Sequence, residues 1–336
     1  MIVSYDTIMI DIPFTISPKM LTFCLEISKL LGKYEGLLSP KPQPQLRKKN
    51  RIKTVQGSLC IEGNTLSLEQ ITAIFEKKKV IGDKREILEV TNTIEAYEKA
   101  SKFNPTSEKS LLMAHDILMR GLLPDAGQWR KTQVGILKGS KVSHIAPKPE
   151  LVPELMEKLF TFLKLNTETH PFIKACVFHY EVEFIHPFTD GNGRIGRLWQ
   201  HIILLRHHPL FEFVPVESII KKHQKEYYKV LETSDRAGNS NAFIEFSLKT
   251  ISEALKEFFE EIRPEPETTK TRLELARGHF EERIFKRKEY LQFFKTLSTA
   301  TASRDLLWGV KKNLLKRLGT RALAKYCFKA VGKSPK

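Results

Sequence analysis

The chain has 336 residues, of which 41% are hydrophobic and 28% charged, and its formal net charge is +16. This composition is typical of a globular protein longer than one average domain, and it excludes disordered and fibrous chains. No apolar run is long enough to span a bilayer, Met1–Pro13 lacks the features of a secretory signal, and the four cysteines lack paired spacing. We therefore expect a cytoplasmic protein without membrane contact, although the sequence leaves open delivery as an effector.

Helical periodicity predominates along the chain, because apolar residues recur at three- and four-residue spacing. The pattern predicts an all-α core with helices over 17–33, 67–79, 84–101, 107–120, 150–165, 171–185, 192–207, 218–234 and 241–262. The basic segment 43–53 follows several prolines and is interpreted as a linker. It leads into a further helix that ends at Gly63.

One stretch departs from the helical pattern. Residues 134–137 and 142–145 read Val-Gly-Ile-Leu and Val-Ser-His-Ile, and they flank Lys138-Gly139-Ser140-Lys141. Two short apolar runs around a glycine turn predict a β-hairpin.

A short segment, 186–197, concentrates the side chains suited to chemistry, with the sequence His-Pro-Phe-Thr-Asp-Gly-Asn-Gly-Arg-Ile-Gly-Arg. Backbone N–H groups at Gly191 and Gly193 can point at phosphate oxygens, and a helix beginning there adds the positive end of its dipole. Arg194 and Arg197 are three residues apart and share one helix face, so both can reach the same polyphosphate. The segment therefore predicts a nucleotide-binding site.

Two further side chains of the segment supply reactivity. Asp190 offers the oxygen ligand that Mg²⁺ requires when phosphates complete its coordination shell. His186, with a reference pKa of about 6.5, is largely neutral at cytosolic pH and can serve as a base. A glycine turn with a purely structural role would not explain this clustering.

The glycines at 191, 193 and 196 also fit the dinucleotide fingerprint G-x-G-x-x-G, with Glu212 at a suitable distance for a ribose contact. That fingerprint must follow a strand in a strand-helix-strand unit. Long helical patterns surround the segment here, and the fingerprint leaves His186, Asp190 and Arg197 without a role, so we reject it.

The twelve residues resemble the signature His-x-Phe-x-[Asp/Glu]-Gly-Asn-Gly-Arg-x-x-Arg of the Fic family at every position. Members of this family transfer AMP from ATP to a hydroxyl of a protein. The resemblance implies a Fic helical core in which His186 is the general base for the target hydroxyl and Asp190 holds Mg²⁺. It implies nucleotide-binding roles for the other motif residues: Phe188 anchors the loop, Gly191, Asn192 and Gly193 cradle the phosphates, Arg194 binds toward the β-phosphate and Arg197 toward the γ-phosphate.

Upstream, Ser58-Leu-Cys-Ile-Glu62-Gly63 resembles the family's inhibitory pattern [Ser/Thr]-x-x-x-Glu-[Gly/Asn]. Glu62 would lie in the last turn of a helix, where the dipole disfavours an acid, which hints at a remote partner. The resemblance implies that this partner is Arg197, which Glu62 would withhold from the γ-phosphate. The alternative is a solvated surface acid. In some relatives the same glutamate positions water that removes AMP, and that second activity stays open.

The resemblance also assigns a role to the hairpin at 134–145. In relatives a hairpin at this position, the flap, lies over the site and pairs with the extended backbone of the target protein. Such edge pairing would present an acceptor hydroxyl with little demand on the surrounding sequence. A plain surface hairpin is the alternative.

The predicted domain order is an N-terminal helical region (1–80) with the inhibitory motif at 58–63, a Fic catalytic core (81–262), a linker (263–269) and a tail domain (270–336). Residues 268–336 hold 18 Lys and Arg against 5 Asp and Glu, a net charge of +13. Predicted helices over 287–294 and 301–318, a turn at 298–301 and a wing at 323–328 resemble the winged helix-turn-helix appended to many bacterial Fic proteins.

Two interpretations of the tail stay open. Its basic helix would contact DNA through Thr301, Ser303, Arg304, Lys311 and Lys312. Leu307 and Trp308 on the same helix favour a protein contact or a dimer face.

Two function classes follow. The first is a Mg²⁺-dependent AMP transferase that uses ATP, is inhibited by Glu62 and assembles as a homo-oligomer. The second is a DNA-binding regulator or scaffold with the core as a nucleotide sensor. The intact His186 favours the first, since a sensor needs no base.

Overall fold

The computed structural model describes residues 12–36, 44–138, 141–262, 268–281, 283–294, 297–319 and 324–329, with backbone only at 36, 136–138 and 141–145. The chain divides into two compact units, Met1–Ile262 and Arg263–Lys336. Most of the predicted linker, residues 263–267, lies outside the described residues, and Thr268 caps the first helix of the second unit.

The first unit is helical, as predicted, with one β-hairpin in its described part. The strands β1 (Gly135–Lys138) and β2 (Lys141–Ile145) pair antiparallel, with Gly135 opposite Ile145, at the place where the hairpin was predicted. The helices are α1 (Pro18–Gly36), α2 (Pro44–Ile61), α3 (Leu68–Phe75), α4 (Lys84–Glu98), α5 (Glu108–Met119), α6 (Val152–Leu165), α7 (Pro171–Ile185), α8 (Asn192–His207), α9 (Val216–Lys222), α10 (Gln224–Ala237) and α11 (Asn241–Ile262).

The linker predicted at 43–53 is wrong, because α2 runs from Pro44 to Ile61 without interruption. None of its charged residues is buried, whereas Ile52 and Val55 are buried. The side chain of Asn50 donates to the carbonyl oxygen of Phe213 at 3.1 Å, which fastens the first half of the helix. The basic residues of this segment suggest a linker, but they belong to a helix that is partly buried.

The single helix predicted at 218–234 is also wrong, since the structure has α9 and α10 with a break at His223. The imidazole of His223 lies 3.0 Å from the carboxylate of Glu253 on α11. This tertiary contact lies at the bend and is invisible to helical periodicity.

The helices α7 and α8 form the centre of the first unit. Apolar side chains surround α7, as is typical of a helix that is buried on all sides. Phe178 of α7 and Trp199 of α8 are both fully buried, with ring centroids 6.1 Å apart. The loop 186–191 joins these two helices and therefore starts and ends on buried elements.

The second unit has its own core, which includes Leu273, Phe280, Phe285, Tyr290, Leu306 and Tyr326. Its elements are α12 (Thr269–Phe280), β3 (Phe285–Lys286), α13 (Arg287–Phe293), α14 (Thr299–Lys311), β4 (Leu315–Leu318) and β5 (Lys325–Phe328). The strands form an antiparallel sheet in the order β3-β5-β4.

The helix predicted at 301–318 is wrong in its second half. It ends at Lys311, and 315–318 is the strand β4. Asn313 has a φ of 59°, a left-handed conformation that ends a helix and that asparagine tolerates. The side chain of Leu315 then packs so closely on Gly309 that a methyl group there would lie 2.7 Å from it.

Candidate active site

The backbone at His186 turns sharply because this residue ends α7 in the left-handed conformation, with a φ of 51°. The buried guanidinium of Arg130 fixes the turn, donating from Nε to the carbonyl oxygen of His186 at 2.7 Å. Its other nitrogens donate to the carbonyl oxygens of Thr132 and Pro147, on either side of the hairpin. Arg130 thus ties the hairpin base to the loop that carries His186.

Phe188 and Asn192 hold the loop in shape. Phe188 is fully buried and stacks on the imidazole of His115, with ring centroids 3.6 Å apart. The amide of Asn192 accepts from the N–H of Phe188 and donates to its carbonyl oxygen, both at 2.9 Å. The side chain of Asn192 is therefore occupied within the loop, and its backbone is what it can offer to a phosphate.

His115 was missed by the sequence analysis. Its Nδ1 accepts from the N–H of Gly127 at 2.9 Å, so its Nε2 carries the proton and donates to the carbonyl oxygen of Asp190, also at 2.9 Å. Burial lowers the pKa of His115 to about 4, which keeps the ring neutral. His115 is 75 residues from its partner, and no motif marks it.

Asp190 and Arg194 lie together at the start of α8. The Asp190 carboxylate is half-exposed, and its Oδ1 accepts from the N–H of Gly191 at 2.6 Å and from Nη2 of Arg194 at 3.1 Å. Nη1 of Arg194 lies 3.6 Å from the carboxylate of Glu89. Nε of Arg194 is buried and has no hydrogen-bond partner in the described structure.

The structure places Glu62 directly on Arg197. The carboxylate of Glu62 accepts from Nη2 of Arg197 at 2.6 Å, and the same guanidinium donates to the side chain and the carbonyl oxygen of Ser58 at 3.3 and 3.1 Å. Arg197 is buried. Burial alone would lower its pKa, but the neighbouring carboxylates of Glu62 and Glu183 raise it above its ordinary value, so the charge is fixed.

The end of α2 that carries Glu62 is fully capped. Gly63 has a φ of 93°, and the N–H of Asn64 reaches back to the carbonyl oxygen of Leu59 at 3.1 Å. Side chains of α9 and α10 take the last carbonyl oxygens. Nζ of Lys221 donates to Cys60, and the amide of Gln224 and the hydroxyl of Tyr228 donate to Ile61, each at 2.9 Å.

A cavity of about 550 Å³ opens beside the loop. Its walls combine the loop residues His186 and 189–193 with aromatic and aliphatic side chains and with five carboxylates. The apolar members are Tyr180, Phe184, Tyr227, Tyr228 and Leu231, and the acids are Glu62, Glu183, Asp190, Glu232 and Asp235. Gly135, the first residue of β1, also lines the cavity, so the hairpin begins at its rim.

Glu183 and Tyr227 were also missed. The hydroxyl of Tyr227 donates to Oε1 of Glu183 at 2.8 Å, and Nε2 of His179 lies 3.1 Å from the same hydroxyl. Burial would raise the pKa of Glu183, but His179, Arg197 and His186 lower it to about 2. Glu183 precedes His186 by three residues, a spacing that places it on the same helix face and was a usable signal.

The fold and this loop define a class of helical proteins in which a loop between two buried helices brings a histidine to the wall of a cavity, and two buried arginines follow on the second helix. Residues 105–204 match the sequence profile of the Fic/DOC family. A Fic family protein from Desulfovibrio desulfuricans G20 has a similar solved structure, with a TM-score of 0.73 and 35% identity, and the match covers 96% of this chain and 100% of that one. The chain belongs to the Fic family.

Curated relatives match a smaller part of this chain. The protein adenylyltransferase Fic of Culex quinquefasciatus is 32% identical over 207 residues, which are 58% of this chain and 39% of that protein. That of Nematostella vectensis is 32% identical over 217 residues, 61% of this chain and 48% of that protein. The chain thus spans less than half the length of these relatives. Within the part of the chain that the structure describes, no helix is both long and apolar enough to cross a membrane.

Proposed function

We propose that this chain is a protein adenylyltransferase, inhibited by its own α2, that transfers AMP from ATP to a hydroxyl side chain of a target protein. One observation carries the proposal most strongly. The carboxylate of Glu62 sits on Arg197 at 2.6 Å, beside a loop and helix start suited to a polyphosphate. The curated relatives are named protein adenylyltransferases, which supports the same reaction.

The placement of His186 supports its role as the base. Its Nδ1 lies 3.3 Å from the carbonyl oxygen of Glu183, a contact that favours the proton on Nδ1 and makes Nε2 the acceptor. The imidazole lines the cavity. In the proposed reaction it takes the proton of the target hydroxyl as the oxygen attacks the α-phosphorus, and pyrophosphate leaves.

The buried donors of the arginines fit a polyphosphate. Nε of Arg194 and Nη1 of Arg197 are both buried and lack hydrogen-bond partners among the described residues. Buried N–H groups without partners are rare in folded proteins and are costly. Neither arginine lines the cavity in the structure, so we propose that a rearrangement that includes the withdrawal of Glu62 brings phosphate oxygens to these donors. Two positive charges would then stabilise the pyrophosphate group.

The acids of the cavity fit a magnesium ion that arrives with ATP. Among the described residues, no group of three or more His, Cys, Asp or Glu side chains is arranged to hold a metal. Asp190 offers one carboxylate in the cavity that would hold the ion, and phosphate oxygens and water would supply its other ligands. When bound, Mg²⁺ would neutralise charge on the leaving pyrophosphate, while five carboxylates make the cavity unfavourable for unaccompanied ATP.

The inhibitory effect of Glu62 follows from its position. A carboxylate about 4 Å from a phosphate charge costs on the order of 4 kcal/mol at an effective dielectric near 20. This energy corresponds to roughly a thousandfold decrease in the rate of AMP transfer or in the population of the productive ATP pose. We propose that Glu62 keeps Arg197 from the γ-phosphate, so that ATP binds in a pose unsuited to transfer. Glu62 in another arrangement would be placed to orient water for AMP removal.

The acceptor side of the reaction is assigned to the hairpin. Its backbone lies close to α10, which forms one wall of the cavity, and Gly135 lines the rim. We propose that the target protein pairs with the hairpin edge in extended conformation.

The four cysteines are unpaired, which fits a reducing, cytoplasmic compartment.

Incubation of the full chain and of Glu62→Gly with α-labelled ATP, Mg²⁺ and cell lysate tests the proposal. We expect little labelling with the wild type and strong labelling with Glu62→Gly, on itself or on a target, with a mass increase of one AMP. Glu62→Gln removes the charge but retains the length, and should activate if repulsion is the cause. His186→Ala in the Glu62→Gly background should abolish labelling while nucleotide binding persists. No labelling with Glu62→Gly would refute the proposal.

A second candidate function concerns the tail, and we propose that it is a winged helix-turn-helix that contacts DNA. The element order of helix, strand, two helices and two strands supports this. Arg304, Lys311 and Lys312 are exposed on α14 and at its end, in a unit with most of the chain's excess charge. Leu307, 52% exposed on the same face, instead fits a contact between copies in a homo-oligomer. Duplex binding by the full chain at two salt concentrations separates the alternatives.

A further inference from the structure

The hydrogen-bond acceptors of Arg197 within the described structure all lie on α2 or on the residue that directly follows it. They are the carboxylate of Glu62 and the side-chain and carbonyl oxygens of Ser58. Arg197 is buried, and a buried guanidinium that loses its counter-charge is strongly destabilised. Any activation that moves Glu62 away therefore needs another group to keep Arg197 in place.

Glu183 is the carboxylate positioned for this task. It lies in the last turn of α7, where the helix dipole disfavours an acid, so its position requires a specific compensation. Its side chain is only 11% exposed, and the hydroxyl of Tyr227 fixes its Oε1 at 2.8 Å. Tyr227 is itself buried, so the carboxylate cannot turn away to solvent without breaking this bond.

Gly193, at the start of α8, shows how close the charged groups of Glu62, Glu183 and Arg197 are to one another. A methyl group on Gly193 would lie 2.5 Å from Oε1 of Glu62, 3.0 Å from Nη1 of Arg197 and 3.2 Å from Oε1 of Glu183. The two carboxylates and the guanidinium thus surround one point and leave no room for a side chain. The two acids differ in their effect on Arg197. Glu62 occupies Nη2, whereas Nη1 has no hydrogen-bond partner among the described residues.

We propose that Glu183, oriented by Tyr227, is the permanent counter-charge that positions Arg197 for the nucleotide after Glu62 withdraws. It balances the buried charge from α7, a helix that does not belong to the inhibitory element, and it leaves Nη1 available to a phosphate oxygen. The inference rests on the proposed function, in which Arg197 binds the γ-phosphate.

The test compares the binding of ATP and AMP by titration calorimetry in the Glu62→Gly background with Mg²⁺. AMP lacks the phosphate that Arg197 contacts, so the ratio of the two affinities reports on Arg197. We expect Glu183→Gln to weaken the binding of ATP about tenfold and to leave the binding of AMP unchanged. The reason is that a displaced guanidinium loses a charge-assisted hydrogen bond to the phosphate. Glu181→Gln, two residues earlier on α7 and outside this cavity, is the matched control and should change neither affinity.

A second comparison separates positioning from a structural role. Arg197→Ala should lower the ATP affinity in the same way, and adding Glu183→Gln to it should cause no further loss. Should Glu183→Gln not fold, Tyr227→Phe, which removes only the orienting hydroxyl, should show the same selective loss at smaller size. An unchanged ratio, or an equal loss for ATP and AMP, would overturn the inference. If Glu62→Gly itself does not bind ATP more tightly than AMP, the assignment of Arg197 in the proposed function fails instead.

Discussion

The α-carbon of Gly57 faces the backbone of Glu217 so closely that a methyl group on Gly57 would lie 2.6 Å from the carbonyl carbon of Glu217. Helices α2 and α9 therefore touch at this point, one turn before Glu62. The contact explains why a glycine stands in the interior of α2, where its helix propensity is poor.

We predict that Gly57→Ala activates the protein without any change at Glu62. The added methyl group has only backbone atoms in front of it, so α2 must shift away from α9 and carry Glu62 off Arg197. AMP incorporation should rise toward the level of Glu62→Gly. Gly32→Ala is the matched control, since a methyl group there meets nothing within 4 Å. Incorporation that stays at the wild-type level in Gly57→Ala would show that α2 accommodates the methyl group in place.

A second prediction concerns Arg130, whose forked guanidinium donates to carbonyl oxygens at His186 and at both ends of the hairpin. Lysine keeps the charge but cannot reproduce the fork. In the Glu62→Gly background we expect Arg130→Lys to lower kcat by about 100-fold through misplacement of His186, with little change in KM for ATP. Lys131→Ala, at the exposed neighbouring residue, is the control. Unaltered kcat would mean that the loop holds its shape without Arg130.

A third prediction uses the pH dependence of stability. Glu217 is 2% exposed, its Oε1 accepts from the hydroxyl of Tyr97 at 2.8 Å, and its buried Oε2 has no hydrogen-bond partner among the described residues. Burial raises the pKa of Glu217 to about 7. Because its folded pKa lies above the unfolded one, the wild type loses stability as the pH rises from about 4.5 to about 7.

The variant Glu217→Gln cannot ionise and should escape this loss. We expect the difference in the free energy of unfolding between variant and wild type to move by about 3 kcal/mol in favour of the variant between pH 4 and pH 8. Chemical denaturation at both pH values measures it, with Glu157→Gln on the exposed face of α6 as the charge control. A difference that does not depend on pH would show that Glu217 ionises normally.

The sequence predicts which contiguous residues form the loop but not which distant residues support it, for a physical reason. The residues from His186 to Arg197 are contiguous, so their chemistry could be interpreted from spacing, and the family resemblance paired Arg197 with Glu62 across 135 positions. The inhibitory role of that contact stays a prediction. His115 and Arg130 reach the loop from 75 and 56 positions away, and neither lies in a motif.

The helix bounds show the same difference between features set by local sequence and features set by contacts with distant residues. The bounds of α7, which the sequence predicts correctly, follow from a proline at its start and the αL residue at its end. The start of α2 at Pro44 and the break at His223 depend on contacts with other elements, among them Asn50 with Phe213 and His223 with Glu253. Local periodicity contains no information about such contacts.

The last prediction concerns the tail. Arg304 and Lys311 are exposed on α14, within a segment that holds a net charge of +13. If this helix contacts DNA, the affinity of the full chain for duplex should fall steeply with salt, because each phosphate contact releases a counterion. Replacing both residues with alanine should reduce the slope of log K against log salt by about 2.

The controls decide between the two interpretations of the tail. Lys29→Ala with Lys33→Ala on α1 removes the same charge from the first unit and should leave the slope unchanged. If the tail instead joins copies of the chain, Trp308→Ala should lower the mass measured by light scattering while duplex binding stays weak. Duplex binding that is absent, or that does not respond to salt, would refute DNA contact and leave the tail as an assembly or target-docking element, without consequence for the roles proposed for His186 and Glu62.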